Sequence, residues 1–412
     1  MSYQPLEKLF HKDLGAERSA NVEAEYRSRF GAPSTFRIGY VTSAGELFVC
    51  VPTELTFLHA EVLSDERDSA RLLAALPPIA QDAILRSFVL DDVVSTNEIE
   101  GVHSSRRQIK DALDAAGRPR GKVKRDVRFR EYALLYDNIL TGAEIPLDCP
   151  GDVRRIYDRV TLGEIAAADQ PDGALFRAQG VDIVGPGSRI LHKGLEPESA
   201  VVEAVEEMLR VSKDPGLPPL VRSLVAHYLF EYAHPFYDGN GRTGRFLLTL
   251  MLSKHLTLPT VFSLSRTLLG NRAAYYRAFR DAEEPLNRGE LTFFVQSMLR
   301  LIKDAQGDAC ARLEEASEAY RDAEAVAECL RGEGLLRPKE AQVVLLLMQY
   351  EAFGLFGTAS IREIADFLGV QTQMARKHVK LLEEKGVCEV RNKYDPVTFG
   401  LTRQFVEKHC RP

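Results

Sequence analysis

Apolar residues recur along most of this chain at helical spacing, and the longest run forms a single stripe. Val221, Leu224, Val225, Tyr228, Leu229 and Tyr232 stand at i, i+3, i+4, i+7, i+8 and i+11, which predicts a buried helix leading to His234. The segment 246–252, Phe-Leu-Leu-Thr-Leu-Met-Leu, is apolar nearly all round and predicts a helix at a domain centre. Over residues 78–101, Ile84, Phe88 and Val89 fall on an apolar face, with Asp92 among the polar positions and Gly101 placed as a helix stop. Further helical stretches are predicted over 54–63, 131–140, 151–175, 270–282 and the long polar 309–330. Strand pattern is scarce. Residues 36–51 predict a hairpin around Ser43-Ala44-Gly45, and residues 181–191 predict another around Gly185-Pro186-Gly187. The pattern therefore predicts a mainly α protein with small β-hairpins.

A separate module begins after Gly332-Glu333-Gly334 and Pro338. A helix over 339–350 precedes one over 360–369, where Ser360 and Glu363 fit a capping box and Ile361, Ile364, Ala365 and Leu368 make one apolar face. The next helix, 372–386, carries Gln373, Arg376, Lys377 and Lys380 along its polar side, and 387–401 reads as two strands around Asn392–Pro396. This arrangement resembles a winged helix-turn-helix. Its basic second helix favours contact with DNA; packing as a dimerisation or scaffold domain is the equal alternative.

Candidate chemistry concentrates in twelve residues between the two strongest helices: His234-Pro-Phe-Tyr-Asp238-Gly239-Asn240-Gly241-Arg242-Thr-Gly-Arg245. The second helix is expected to start at Arg242. Gly239 and Gly241 lack a Cβ, so they can take left-handed conformations and let a ligand reach the backbone. The loop runs into a helix N-terminus, where free N–H groups and the helix dipole favour an anion. Arg242 and Arg245, three apart, share a helix face and can fork onto phosphates. Asp238 is a hard oxygen ligand of the kind Mg²⁺ takes, and His234 is the nearby group whose ordinary pKa suits a general base. His227, seven residues before His234, has no metal-site partners in its spacing and reads as structural.

These residues are similar to the full signature of the Fic family, HPFx(D/E)GNGRxxR, with no position departing from it. The resemblance implies a Fic-type helical core that takes ATP with Mg²⁺. It implies transfer of AMP to a Ser, Thr or Tyr hydroxyl of a target protein, the chain itself included. His234 would then be the base and Asp238 the Mg²⁺ ligand. Gly239, Asn240 and Gly241 would hold the α-phosphate, Arg242 the β and Arg245 the γ. Tyr276, otherwise read as core, would help bind the adenine. Thr96, Glu100 and Gly101 match the inhibitory motif (S/T)xxxE(G/N), and their place ahead of the core resembles class II of the family; alone, Glu100 would read as a surface carboxylate. A carboxylate about 4 Å from Arg245 is worth about 4 kcal/mol before desolvation at an effective dielectric near 20. It would pre-empt the γ-phosphate site. The hairpin at 181–191 resembles the family's flap, which aligns a target segment by strand addition. Other readings stay open: removal of AMP with Glu100 orienting a water, another nucleotide or phosphoryl donor, and a DNA-binding transcriptional regulator with a nucleotide-sensing core. A second copy of the chain is a candidate partner.

Composition bears on partners and compartment. The 412 residues are 45% apolar and 27% charged, with a formal net charge of −6. That balance gives no global attraction for nucleic acid or anionic membrane, so any such site must be local. Six scattered cysteines show no CxxC spacing, which disfavours a zinc site or disulfide framework and favours a reducing, cytoplasmic setting. The basic run 117–130 reads more readily as a solvated linker than as a nucleic-acid platform. No apolar run approaches the ~20 residues of a membrane span. The expected organisation is an N-terminal region with hairpin and inhibitory helix (1–115), a catalytic core (116–306), a connecting helix and linker (307–337) and the winged-helix domain (338–412).

Overall fold

A computed structural model describes residues 3–116, 128–184, 190–353, 355–393 and 396–409. The chain is mainly helical, as its pattern predicts, with three small antiparallel sheets among the described residues. Most of the basic run at 117–130, and the turn of the second hairpin, lie outside the described residues. Two compact units emerge: Met1–Glu66 with Leu90–Gly307, and Arg67–Val89 with Asp308–Pro412.

The first unit opens its β structure with a hairpin, Phe36–Thr42 against Gly45–Val49, in which Thr42 faces Gly45. The inner strand buries Leu47, Phe48 and Val49 completely. A second hairpin pairs Asp182–Val184 with Ile190–Lys193. The centre is built from helices Pro219–Ala233 and Asn240–Leu252, which pack on each other; the first also packs on Glu198–Lys213 and the second on Pro150–Val160. From Arg242 to Leu252 every side chain is buried, as expected of a segment with almost no polar face. Replacing Leu248, 1% exposed, with Ala would cost about 2–5 kcal/mol.

Several boundaries move. The helix expected over 151–175 runs only from Pro150 to Val160; Gly163 turns the chain with φ 76°, and an irregular loop follows. The polar stretch 309–330 is the second half of one 41-residue helix, Thr292–Gly332, whose apolar start hid its continuity. The helix expected over 54–63 extends over Thr53–Ala75. In the helix Pro78–Ile99, Asp92 is fully buried rather than on a polar face: Tyr136 donates to one carboxylate oxygen and the Ser265 N–H to the other. Burial pushes its carboxyl up to about 6.

In the second unit, helices Pro338–Ala352, Ile361–Leu368 and Thr372–Glu384 pack together beside a three-stranded sheet. Thr398–Leu401 lies between Thr358–Ser360 and Cys388–Asn392. Ser360 and Glu363 form the reciprocal cap, with Glu363 N–H donating to Ser360 Oγ (3.3 Å) and Ser360 N–H to Glu363 Oε2 (2.7 Å). Gly369, at φ 62°, ends that helix and starts the turn. Gln373, Arg376, Lys377 and Lys380 are all exposed on Thr372–Glu384.

Candidate active site

The helix Pro219–Ala233 stops because His234 takes a left-handed conformation (φ 47°, ψ 65°) and Pro235 cannot extend it. Phe236 then anchors the loop. It is fully buried, with its ring stacked on Tyr157 at 3.6 Å and edge-on to Phe176. Asn240 closes the loop from the other side: its Nδ2 donates to Phe236 O (2.7 Å) and its Oδ1 accepts from Phe236 N–H (2.9 Å). The Asn240 side chain is thus committed to loop geometry rather than aimed at a phosphate. Gly239 has φ 84°, and a Cβ there would fall 2.7 Å from Thr161 Cγ2. The next helix begins at Asn240, two residues before the expected start, with left-handed Gly239 as its N-cap.

Gly241 is needed for a different reason than backbone freedom. It is helical, but a Cβ would lie 2.1 Å from Glu100 Oε1. That carboxylate sits over the first turn of the helix and accepts from Arg245 Nη2 at 2.7 Å. Thr96 takes the rest of the guanidinium: Arg245 Nε donates to Thr96 Oγ1 (2.7 Å) and Nη2 to Thr96 O (3.1 Å). Arg245 is 3% exposed and Glu100 30%. Burial alone would pull the guanidinium down; Glu100, Tyr275 and Glu231 together outweigh it and hold Arg245 above its ordinary value. Gly101, at φ 71°, turns the chain just after the helix that supplies Thr96 and Glu100.

Arg242, 1% exposed, is paired as well. Its partner is Glu164, in the loop after Val160, and Glu164 also accepts from Arg128 Nε at 2.8 Å. No sequence signal marked Glu164, because the segment around it reads as helix. Asp238 is exposed, and its Oδ1 accepts from Gly239 N–H at 2.6 Å. Tyr276 is 45% exposed, its hydroxyl pushed up to about 12 by burial and then by Glu100. Its neighbour Tyr275 is buried and hydrogen-bonded to His227 Nε2 at 2.9 Å. Burial, with the Arg245 charge, pushes His227 down to about 3, so it is a neutral core histidine.

His234 is also neutral. Burial, then the charges of His192 and Arg177, depress its pKa to about 3. Arg177 is wholly buried, with no acidic partner in contact among the described residues; its Nε donates to His234 O (2.8 Å) and its Nη2 to Ala233 O (3.2 Å). Sequence reading missed Arg177 and His192, which sit in and beside the second hairpin. It also missed Glu231, one turn before His234. Burial pushes that carboxyl up to about 7, and its Oε1 would meet a Cβ on Gly244 at 2.0 Å. The arrangement combines a neutral imidazole, a helix N-terminus, two buried guanidiniums and an exposed carboxylate. Chemically it suits a polyanion whose reacting centre lies beside His234.

Residues 147–252 match the profile described as Fic/DOC family. A probable protein adenylyltransferase of Aquifex aeolicus is 44% identical over 63 residues, 15% of this chain and 18% of that protein. Protein adenylyltransferase Fic of Drosophila willistoni is 28% identical over 148 residues, 35% of this chain and 26% of that one. The chain therefore spans less than a third of the length of these curated relatives. A solved Fic family protein from Desulfovibrio desulfuricans G20 superposes with a TM-score of 0.48 at 19% identity, covering 86% of this chain and 97% of that one.

Proposed function

We propose that this chain, which carries a Fic/DOC domain over residues 147–252, is a protein adenylyltransferase restrained by its own Glu100. In this reading it moves AMP from ATP to a hydroxyl of a target protein. The observation that carries the reading is the triple hold on Arg245. A carboxylate from outside the signature occupies one edge of the guanidinium, directly over the first turn of the anion-favouring helix. An acidic group there stands where a terminal phosphate would be received.

In the proposed reaction His234 accepts the proton of a Ser, Thr or Tyr hydroxyl. The freed oxygen forms a bond to the α-phosphorus of ATP, and the bond to the pyrophosphate oxygen breaks. Arg242 and Arg245 hold the departing β- and γ-phosphates once Glu164 and Glu100 have yielded them. Asn240 and Phe236 keep the loop amides in place for the α-phosphate. Asp238, one exposed carboxylate beside the loop, suits Mg²⁺, which commonly takes few protein ligands alongside substrate phosphates; the ion would neutralise phosphate charge there. Tyr276 would face the base.

The test is incorporation of labelled AMP from ATP into the full chain and into a protein lysate. Glu100→Gly should raise it, and His234→Ala should reduce it to background. Equal labelling by both variants and the parent would end the scheme. Because His234 is held near 3, it stays in the proton-accepting form throughout mildly acidic solution. An ordinary histidine would lose that form below about pH 6.5. We expect kcat/KM of Glu100→Gly to lack an acid limb from about pH 5 to 7; a midpoint near 6.5 would contradict the buried setting of His234.

A second reading concerns the C-terminal unit alone. The exposed row Gln373, Arg376, Lys377 and Lys380 on a helix after a Gly369 turn, beside a small sheet, suits a winged helix that contacts DNA. DNA binding that weakens with salt, and is lost on Arg376→Ala with Lys380→Ala, would support it.

A further inference from the structure

The helix that presents His234 ends with three carbonyls that no further helical turn can satisfy, those of Tyr232, Ala233 and His234. All three are taken by groups from one stretch of chain that leads into and out of the second hairpin. Arg177 donates to Ala233 O and His234 O, and Leu195 N–H also reaches Ala233 O at 3.3 Å. Tyr232 O is taken by His192, on the strand Ile190–Lys193, whose Nε2 lies 2.8 Å away. The other ring nitrogen of His192, Nδ1, lies 2.8 Å from Glu283 Oε2, at the end of helix Arg272–Glu283. A neutral imidazole has one N–H and one acceptor nitrogen. A backbone carbonyl and a carboxylate both accept, and neither has a proton to give. Satisfying both contacts requires an N–H on each nitrogen.

We propose that His192 is a positioning residue held as an imidazolium, clamping the strand Ile190–Lys193 to the helix end that carries His234. The inference rests on the reading of His234 as the base. The His192 and His234 ring centroids are 6.4 Å apart, so the fixed positive charge of one bears on the other. The charged and titratable groups facing His192 are Glu283 from helix Arg272–Glu283, and Glu231, Tyr232 and His234 from helix Pro219–Ala233 and its end. Burial by itself would push His192 down; Glu283, the Tyr232 carbonyl and Glu231 outweigh it and hold the ring above its ordinary value. The side chain is 11% exposed, so water cannot readily replace either acceptor. The clamp has two consequences. While it carries its proton, His192 ties the strand Ile190–Lys193 to the catalytic helix end alongside Arg177 and Leu195, and its charge adds to burial, the larger cause, in keeping His234 neutral.

The experiment uses the full chain with Glu100→Gly and ¹⁵N,¹³C-labelled histidine. Near pH 7.5, both His192 nitrogens should give the NMR signature of a protonated ring, while His234 stays neutral from about pH 8 down to pH 5. A neutral His192 at pH 7.5 overturns the proposal. His192→Gln removes the charge and keeps one donor. It should raise the His234 titration above the parent's and move the acid limb of kcat/KM to higher pH, with kcat falling about tenfold and KM for ATP little changed. Glu283→Gln, on a different element, should shift His234 the same way by weakening the proton on His192. His192→Lys restores a cation and should move the acid limb back toward the parent profile. A purely structural role would lower activity in these variants without moving the His234 titration, and that result overturns the clamp. If no AMP is transferred under any condition, the functional reading fails, while the histidine spectra still decide the clamp.

Discussion

Two arginines one turn apart on the same helix are neutralised by carboxylates that arrive in different ways. Glu100 comes from the end of helix Pro78–Ile99, shares Arg245 with Thr96 and is 30% exposed. Glu164 comes from an irregular loop, is 7% exposed and divides itself between Arg242 and Arg128. A half-solvated carboxylate at a helix end can swing into water when a phosphate competes for its arginine. A buried one cannot do so cheaply, because an uncompensated buried charge costs several kcal/mol. Glu164 can leave Arg242 only by giving its whole charge to a second cation, and Arg128 is in place to receive it. Arg245 is thus paired with a carboxylate that has a solvent exit, and Arg242 with one shared between two guanidiniums.

The largest effect should come from the exposed side. Glu100→Gly removes the carboxylate and leaves Thr96 on Arg245, so in the proposed reaction the γ-phosphate would be received without displacing a charge. If Glu100 misplaces bound ATP by about 1 Å, its removal should raise the initial rate of AMP transfer roughly a hundredfold. Labelled-ATP incorporation measures it. A rate unchanged by Glu100→Gly but raised by a change at Glu164 would invert the two roles.

Glu164→Gln should act more moderately and in two directions at once. The amide keeps the shape but not the charge, which leaves Arg242 buried and under-compensated in the free protein. Melting without nucleotide should show a loss of up to about 3–5 kcal/mol, the range for breaking a buried pair. Affinity for ATP should rise about tenfold in calorimetry, since the β-phosphate becomes the counter-charge that Arg242 lacks. Loss of both stability and affinity would mean that Glu164 positions Arg242 and does not compete for it.

How much of this was legible in the sequence follows from how each group is placed. The signature loop could be read because its residues are adjacent: His234, Asp238, Asn240 and the arginines lie within one turn and one helix start. Glu100 could be read only through the resemblance of Thr96, Glu100 and Gly101 to the family's inhibitory motif; by spacing alone it is a surface carboxylate. Glu164, Arg177 and His192 reach the same site from loops and a short strand, and no periodicity links them to it. The helix boundaries moved for different reasons: Gly163 turns the chain after Val160, whereas the longest helix hid its continuity. A segment such as Thr292–Gly332 changes from apolar to polar partway along as its surroundings change, and the pattern reads as two elements where the backbone is one. Asp92 went the other way: a charged residue on an apolar helix reads as a polar face, yet Tyr136 and Ser265 supply what its burial demands.

The smallest effect offers the sharpest sign. Arg128 is 46% exposed, and its contact with Glu164 is a partly solvated ion pair worth no more than about 1 kcal/mol. Were Arg128 only an anchor for Glu164, its removal would loosen the carboxylate, free Arg242 and strengthen nucleotide binding, as Glu164→Gln does. The exchange picture predicts the opposite. Without Arg128, a Glu164 displaced by phosphate has no second cation to receive it. Arg128→Ala should therefore weaken ATP binding, by about two- to fivefold. The measurement belongs in the Glu100→Gly background, where competition at Arg245 is gone and calorimetry reports on Arg242. It also carries its own control. Once Glu164 is Gln there is no charge to hand over, so Arg128→Ala should then have no effect on affinity. A persistent effect would mean that Arg128 touches the nucleotide itself, and the exchange between the two guanidiniums would have to be abandoned.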